Sequence, residues 1–196
     1  MSKLYFKYGA LNSSKTANLL MTAHNYKNGG RKVLLLQSNK NTRDLQGKIV
    51  SRAGLEAECL IFNDNTNLEM VVLNQDYKPD VVLIDEVQFA TPEHIEQLIK
   101  IVDDYNITVF AYGLKSTYTG ELFPATAKLL VYADKVEEVK QVCTFCEKKA
   151  ILNLKIKNKK PVYKGEIISI GDIVETEEYY LPVCRKHFFN PELDID

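Results

Sequence analysis

Short runs of apolar residues recur along the first two thirds of the chain, separated by stretches of mixed, helix-like character. Leu4–Tyr8, Lys32–Gln37, Val81–Ile84 and Thr108–Tyr112 read as strands. Val33-Leu34-Leu35-Leu36 and Val81-Val82-Leu83-Ile84 are apolar without interruption, the pattern of parallel strands covered on both faces. Between them, Thr16–Tyr26 reads as a helix that stops at Gly29-Gly30. Thr91-Pro92 supplies an N-cap and a first-turn proline for another helix reaching about Asp103. Strands that alternate with helices imply right-handed crossovers and a parallel sheet.

The pattern changes at about Val136. Short β-type segments (Val136–Val142, Ile151–Ile156, Val162–Ile168) are broken by a Cys-x-x-Cys, by a basic turn at Lys155–Lys160 and by a loop around Gly171. The expected organisation is an α/β unit over residues 1–135, its parallel sheet flanked by helices. A small β domain over residues 136–196 follows it. No internal repeat or low-complexity tract interrupts either part.

Composition narrows the setting. At 196 residues and 45% hydrophobic, the chain can hold one sizeable core plus an appendage. Its formal charge of −1 offers no general attraction to nucleic acid or to an anionic membrane. There is no apolar stretch of membrane-spanning length, and Met1–Lys7 lacks the long apolar core of a signal peptide. A cytoplasmic protein with reduced thiols is therefore expected. In that setting the four cysteines suit metal ligation or plain burial better than disulfides.

Three motifs carry chemistry. Gly9-Ala10-Leu11-Asn12-Ser13-Ser14-Lys15-Thr16 follows the first strand and opens the first helix, in the outline of a phosphate-cradling loop. Successive N–H groups can converge on phosphate oxygens at the positive end of the helix. Lys15 adds a full charge near the β- and γ-phosphates, and the Thr16 hydroxyl suits magnesium. Ser14 stands where the pattern calls for glycine, and a serine-rich cap before an ordinary helix is the plainer alternative.

The second motif is Asp85-Glu86, closing a buried strand at the sheet edge where α/β proteins bind ligands. Asp85 suits a magnesium contact, and Glu86 is placed to accept a proton from an attacking hydroxyl. The third pairs Cys143-x-x-Cys146 with Cys184-x-x-His187, the spacing of a closed, structural zinc site with three thiolates and one imidazole. Cys59 has no partner pattern and reads as a core thiol.

Taken in order, these motifs resemble the type II thymidine kinases of animals, bacteria and some viruses. The resemblance runs nearly end to end. Besides the loop and the zinc pairs it rests on Thr42-Arg43, Asp85-Glu86-Val87-Gln88-Phe89, Tyr112-Gly113-Leu114 and Gly120-Glu121-Leu122-Phe123. It implies a P-loop NTPase-like sheet, a zinc domain carrying a lasso loop, and ATP, Mg2+ and structural Zn2+ as cofactors. The implied reaction moves the ATP γ-phosphate to the 5′-hydroxyl of thymidine, with Glu86 as general base.

The resemblance also places Arg43 and Gln88 at the nucleotide site. Phe89, Leu114, Tyr118 and Phe123 would enclose the base, with Ile170, Gly171 and Tyr180 gripping it from the lasso. It further implies a homo-oligomer, a tetramer by the family pattern, with no nucleic-acid or membrane partner. The chain departs from the pattern at Ser14, at Asn41 (usually acidic), at Val87 (usually small) and in a lasso lengthened by the acidic stretch 172–178. Other readings of the motifs are a catalytically weakened nucleotide-binding sensor or another P-loop phosphotransferase.

Overall fold

The computed structural model describes residues 1–41, 47–165 and 178–192. Six parallel strands form the central sheet: β1 (Leu4–Tyr8), β2 (Val33–Ser38), β5 (Leu60–Phe62), β6 (Val81–Asp85), β7 (Thr108–Gly113) and β8 (Lys135–Glu138). Their spatial order is β5-β2-β6-β7-β1-β8. Every ladder is parallel, so each connection crosses over the sheet, and helices cover both faces.

Helix α1 (Lys15–Asn28) lies on one face and packs Leu19, Leu20 and Ala23 against Leu35, Leu83 and Phe110. Helices α2 (Leu68–Leu73), α3 (Pro92–Asp103) and α4 (Pro124–Tyr132) cover the other, over Phe6, Leu36, Val82, Ile84 and Val109. Alternate residues of the apolar strand runs therefore enter two different cores, which is why those runs show no polar interruption. The short turn Val87–Phe89 follows β6 directly.

The caps follow local chemistry. Helix α1 ends where Gly29 donates to the Asn25 carbonyl and Gly30 turns to φ 74°. The Thr91 hydroxyl accepts the His94 N–H at 3.2 Å, and His94 Nδ1 accepts the Thr91 N–H at 3.1 Å, a reciprocal box in which histidine replaces the usual acid. With Nδ1 accepting, Nε2 carries the proton and donates to the Thr66 carbonyl at 2.8 Å.

Past Glu138 a three-stranded antiparallel sheet, ordered β10-β9-β11, is built from β9 (Leu152–Lys157), β10 (Lys160–Val162) and β11 (Glu178–Val183). Helix α5 (Arg185–Phe189) closes it, its Phe188 packing with Leu154, Ile156 and Val183. Three expectations for this region change. The segment read as Val136–Val142 is a strand only through Glu138, and it belongs to the central sheet, where Val136 pairs with Phe6 of β1. The change of character seen at Val136 thus falls inside β8.

The basic turn read at Lys155–Lys160 is present but narrower, confined to Asn158-Lys159 between two strands. It is the tip of a hairpin whose two turn residues, Asn158 and Lys159, both take positive φ (50° and 60°), as a type I′ turn requires. The strand read from Val162 ends there instead of beginning. A smaller hairpin of β3 (Lys48–Val50) and β4 (Glu56–Glu58), unsuspected from the pattern, lies between β2 and β5 in sequence.

Candidate active site

The loop between β1 and α1 leaves the sheet at Gly9, whose N–H donates to the Gly113 carbonyl at 3.3 Å. A Cβ at Gly9 would stand 2.4 Å from both Ser13 Oγ and the Val139 carbonyl oxygen, so this position has no room for a side chain. Lys15 is buried and folds back into the ring of the loop, donating to the Ala10 carbonyl at 2.9 Å and to Ser13 Oγ at 3.4 Å. Asn12 and Ser14 both adopt left-handed backbone, with φ 62° and 60°. Ser14 makes no side-chain cap bond, so the capping alternative fails for this serine; its hydroxyl is not what starts α1.

Thr16, one residue into α1, donates from Oγ1 to Asp85 Oδ2 at 2.9 Å. This bond ties the loop motif to the strand motif across the sheet edge. Asp85 is 1% exposed, and its Oδ1 has no hydrogen-bond partner. Burial and the Glu86 carboxylate push Asp85 up to about 7, against the Thr16 hydroxyl, the Glu86 backbone N–H and the Lys15 charge.

Glu86 sits in left-handed backbone (φ 50°, ψ 42°), a strained setting of the kind that concentrates at functional sites. Its Oε2 accepts from Gln88 Nε2. Gln88 Oε1 in turn accepts the Leu114 N–H at 3.0 Å. Gln88 is buried and stands between Glu86 and the end of β7, where a Cβ at Gly113 would come within 2.5 Å of its Oε1. Val87, bulky for its place, is fully buried in the core beside Gly113.

A cleft of about 430 Å³ opens over the loop, lined by Leu11 to Ala17 and Glu86 on one side. The opposite wall is Asn41 with Val50, Ser51, Arg52 and Ala53 from the β3–β4 hairpin. Arg52 Nη1 donates to Asn12 Oδ1, bringing a second cation to the loop. No motif in the sequence marks this arginine; the only signal was a lone basic residue in a Ser-Arg-Ala-Gly turn. Arg43 lies outside the described residues.

The aromatic residues expected around a base fall into two pairs. Phe89 and Phe123 meet edge-on at 6.5 Å between ring centroids. Tyr118 and Tyr180 meet edge-on at 6.2 Å. Leu114 follows β7 between these groups, its N–H held by Gln88. Ile170 and Gly171 lie outside the described residues. The strands on either side of β9 carry the chain toward and away from that segment, and β11 runs straight into Cys184.

Cys143, Cys146, Cys184 and His187 bring their ligand atoms within 4.8 Å of one another. Cys146 and Cys184 sulfurs are 3.9 Å apart, and His187 Nδ1 lies 3.4 and 3.5 Å from the sulfurs of Cys143 and Cys184. A tetrahedral zinc with its usual bond lengths sets such edges at about 3.8 Å for S···S and about 3.6 Å for S···N. The residues fit zinc. His187 Nε2 faces Glu192 Oε1 at 3.2 Å, the outer carboxylate that orients a metal-bound imidazole. Burial raises the Cys143 thiol, but the Cys184 and Phe145 backbone N–H groups and the side chains of His187 and Cys146 outweigh it and bring it to about 6, favouring the thiolate a metal needs.

Residues 2–188 match the family model described as "Thymidine kinase". A curated thymidine kinase of Enterococcus faecalis is 44% identical over 192 residues, covering 98% of this chain and 97% of that protein. Thymidine kinases of Streptococcus pyogenes and Streptococcus agalactiae are each 42% identical over 193 residues, covering 98% of this chain and all of theirs.

Proposed function

The chain belongs to the thymidine kinase family, and on that premise we propose that it transfers the γ-phosphate of ATP to the 5′-hydroxyl of thymidine. The observation that carries this reading is the junction of the two motifs. Thr16 donates to Asp85 Oδ2, Asp85 Oδ1 is buried with no partner, and Glu86 opens into the same cleft as the loop. A phosphoryl transferase asks its protein for positioning and charge stabilisation above all.

In this reading the N–H groups of Asn12 to Thr16 and the Lys15 ammonium hold the donor phosphates. Magnesium fits the oxygen-only donors Thr16 Oγ1 and Asp85, whose orphaned Oδ1 is otherwise an uncompensated buried polar atom. When bound, the ion would neutralise charge on the phosphate oxygens. Glu86 takes the proton from the 5′-hydroxyl, and Gln88 holds its carboxylate in place while leaving the other oxygen open. Phe89, Leu114, Tyr118, Phe123 and Tyr180 enclose the base, helped by Ile170 and Gly171; Arg43 serves the nucleotide. Zinc holds the C-terminal sheet together and, through β11, one end of the base-gripping segment.

Lys15, Thr16, Asp85 and Glu86 are all in place, which leaves nothing to favour a sensor that has lost catalysis. Among the described residues, no helix is long and apolar enough to cross a membrane. We extend the reading to a homo-oligomer, a tetramer by the family pattern, which light scattering of the zinc-loaded protein tests. The decisive experiment is a phosphate-transfer assay across the four deoxynucleosides. Thymidine is expected to be the preferred acceptor, with transfer in Glu86→Gln lowered by about 10²–10⁴ while ATP binding persists. Neither transfer nor thymidine binding in the wild type would overturn the assignment.

A further inference from the structure

Strand β9 shows two unlike faces. Leu154 and Ile156 point into the zinc-side core with Val183, Phe188 and Cys184. Asn153 and Lys155 take the alternate positions and therefore the opposite face. Both are buried, 4% and 5% exposed, although neither has a role in the core behind them. A buried amide and a buried ammonium on one strand face need partners, and these include the phosphate loop and Tyr118 as well as neighbours on β11.

Asn153 Oδ1 accepts the Leu11 N–H of the phosphate loop at 2.8 Å, across 142 residues of sequence. Two residues on, Lys155 Nζ pairs with Glu178 at 2.5 Å, at the start of β11. The same ammonium lies 4.9 Å from the Tyr118 ring centroid and 5.7 Å from that of Tyr180. Tyr118 comes from the segment after β7 and Tyr180 from β11, so Lys155 contacts both rings while it forms the ion pair beside them. Positions i and i+2 of a strand are about 6.6–6.8 Å apart. One rigid strand thus reaches the donor loop and the acceptor aromatics from adjacent positions.

We propose that β9 is a positioning strand, in which Asn153 sets the phosphate loop and Lys155 sets the tyrosine pair, so that the zinc-bearing sheet aligns both substrates. This rests on the assignment of ATP to the Gly9–Thr16 loop and thymidine to the Tyr118–Tyr180 side. Neither residue touches a reacting atom. Each acts through another group: Asn153 through the Leu11 amide, Lys155 through ring orientation and the Glu178 carboxylate. Loss of the first loosens the entry to a loop whose later N–H groups face phosphate. Loss of the second frees two rings that must stay where a planar base stacks.

The test is a comparison of KM values in the full-length, zinc-loaded protein, with zinc content measured for every variant. Asn153→Leu keeps the volume and removes the acceptor; it is expected to raise the ATP KM about tenfold with the thymidine KM changed less than about twofold. Lys155→Met is expected to do the reverse, and Lys155→Arg, which keeps the charge over the rings, to recover most of the loss. Both variants shifting both KM values equally with zinc retained would reduce β9 to a merely structural strand and overturn the proposal, as would no shift in either.

Should Asn153→Leu lose zinc, Asn153→Ala replaces it, read by hydrogen exchange at the Leu11 amide. Faster exchange supports the contact, and unchanged exchange overturns it. A wild type that transfers no phosphate to thymidine brings down the functional assignment together with the strand's role. An active wild type whose variants fail to split brings down the strand's role alone.

Discussion

Asp85 is the place where the site works against the fold, and replacing it with asparagine measures by how much. Its carboxyl titrates near 3.8 in the unfolded chain and about 7 in the fold, because burial and the Glu86 charge penalise the ionised form more than Thr16, the Glu86 backbone N–H and Lys15 favour it. A raised pKa is a contribution to stability that is whole below about pH 4, is lost as pH rises, and is gone above about pH 7. Integrated between about pH 5 and about pH 8, the loss is about 2–3 kcal/mol. Asp85→Asn cannot ionise and escapes it.

The asparagine carbonyl can still accept from Thr16, but its NH2 takes the place of the buried Oδ1 and finds no acceptor, a pH-independent cost of about 1–3 kcal/mol. The variant is therefore expected to gain about 2–3 kcal/mol on the wild type between about pH 5 and about pH 8, whatever its constant cost. Urea unfolding of both proteins in zinc-containing, magnesium-free buffer measures that swing. Magnesium added at the higher pH is expected to stabilise the wild type and not the variant. A gap that stays constant with pH would refute the reasoning, since it would mean that Asp85 ionises as readily in the fold as in water.

Three further outcomes follow from the same geometry. Ser14→Gly relieves left-handed strain of about 1–2 kcal/mol, offset by about 0.5–1 kcal/mol of extra chain entropy, so a small gain in thermal stability is expected, with ATP affinity changed by less than about tenfold. Calorimetry and nucleotide titration check both. Gly9→Ala places a methyl on the Val139 carbonyl and on Ser13; loss of about 2 kcal/mol or more and loss of measurable ATP binding are expected in the same two assays. Cys146→Ser removes a thiolate from the cluster, and metal analysis should show zinc below one per chain, with transfer reduced more than tenfold because β9 and β11 lose their anchor.

Much of the fold and the centre of the candidate site were legible because they rest on local signals. Strands β1, β6 and β7 are short, largely apolar runs of strand length, and the Thr91-Pro92 cap starts α3 where the capping rules place it. The phosphate loop, the acid pair and the zinc ligands are short motifs whose residues are close in sequence. What escaped depends on long-range pairing. Strand β8 is legible as β from Val136, but nothing in Lys-Val-Glu-Glu shows that it pairs with the open edge of β1 in the central sheet. The three-residue strands of the β3–β4 hairpin are too short to show alternation, so Arg52 could not be placed opposite Asn12. The turn at Asn158-Lys159 lacks the Asn-Gly that announces a type I′ hairpin, so a basic turn was legible there but not the tight hairpin it closes. Asn153 and Lys155 read as polar interruptions of a strand, because their partners lie far away in sequence.

The departure at Ser14 is settled by asking which glycine of the loop the structure needs. At Gly9 the obstacle to a side chain is steric, with a carbonyl oxygen and a hydroxyl 2.4 Å from where Cβ would stand. No side-chain adjustment moves a backbone carbonyl of the neighbouring strand connection. At Ser14 the demand is only dihedral: φ 60° and ψ 28° lie in a region that serine enters at a cost of about 1–2 kcal/mol. That cost is within what the rest of the loop can carry, since Lys15 is held in the ring by two hydrogen bonds and Leu11 is pinned by Asn153. A loop fastened from the zinc-side sheet tolerates a strained residue that a loop resting on its own glycines would not. On this argument the serine and the β9 clasp belong together: Ser14→Gly should soften the ATP defect of Asn153→Leu more than it changes the wild type, and equal effects in the two backgrounds would show that the loop and the strand act independently.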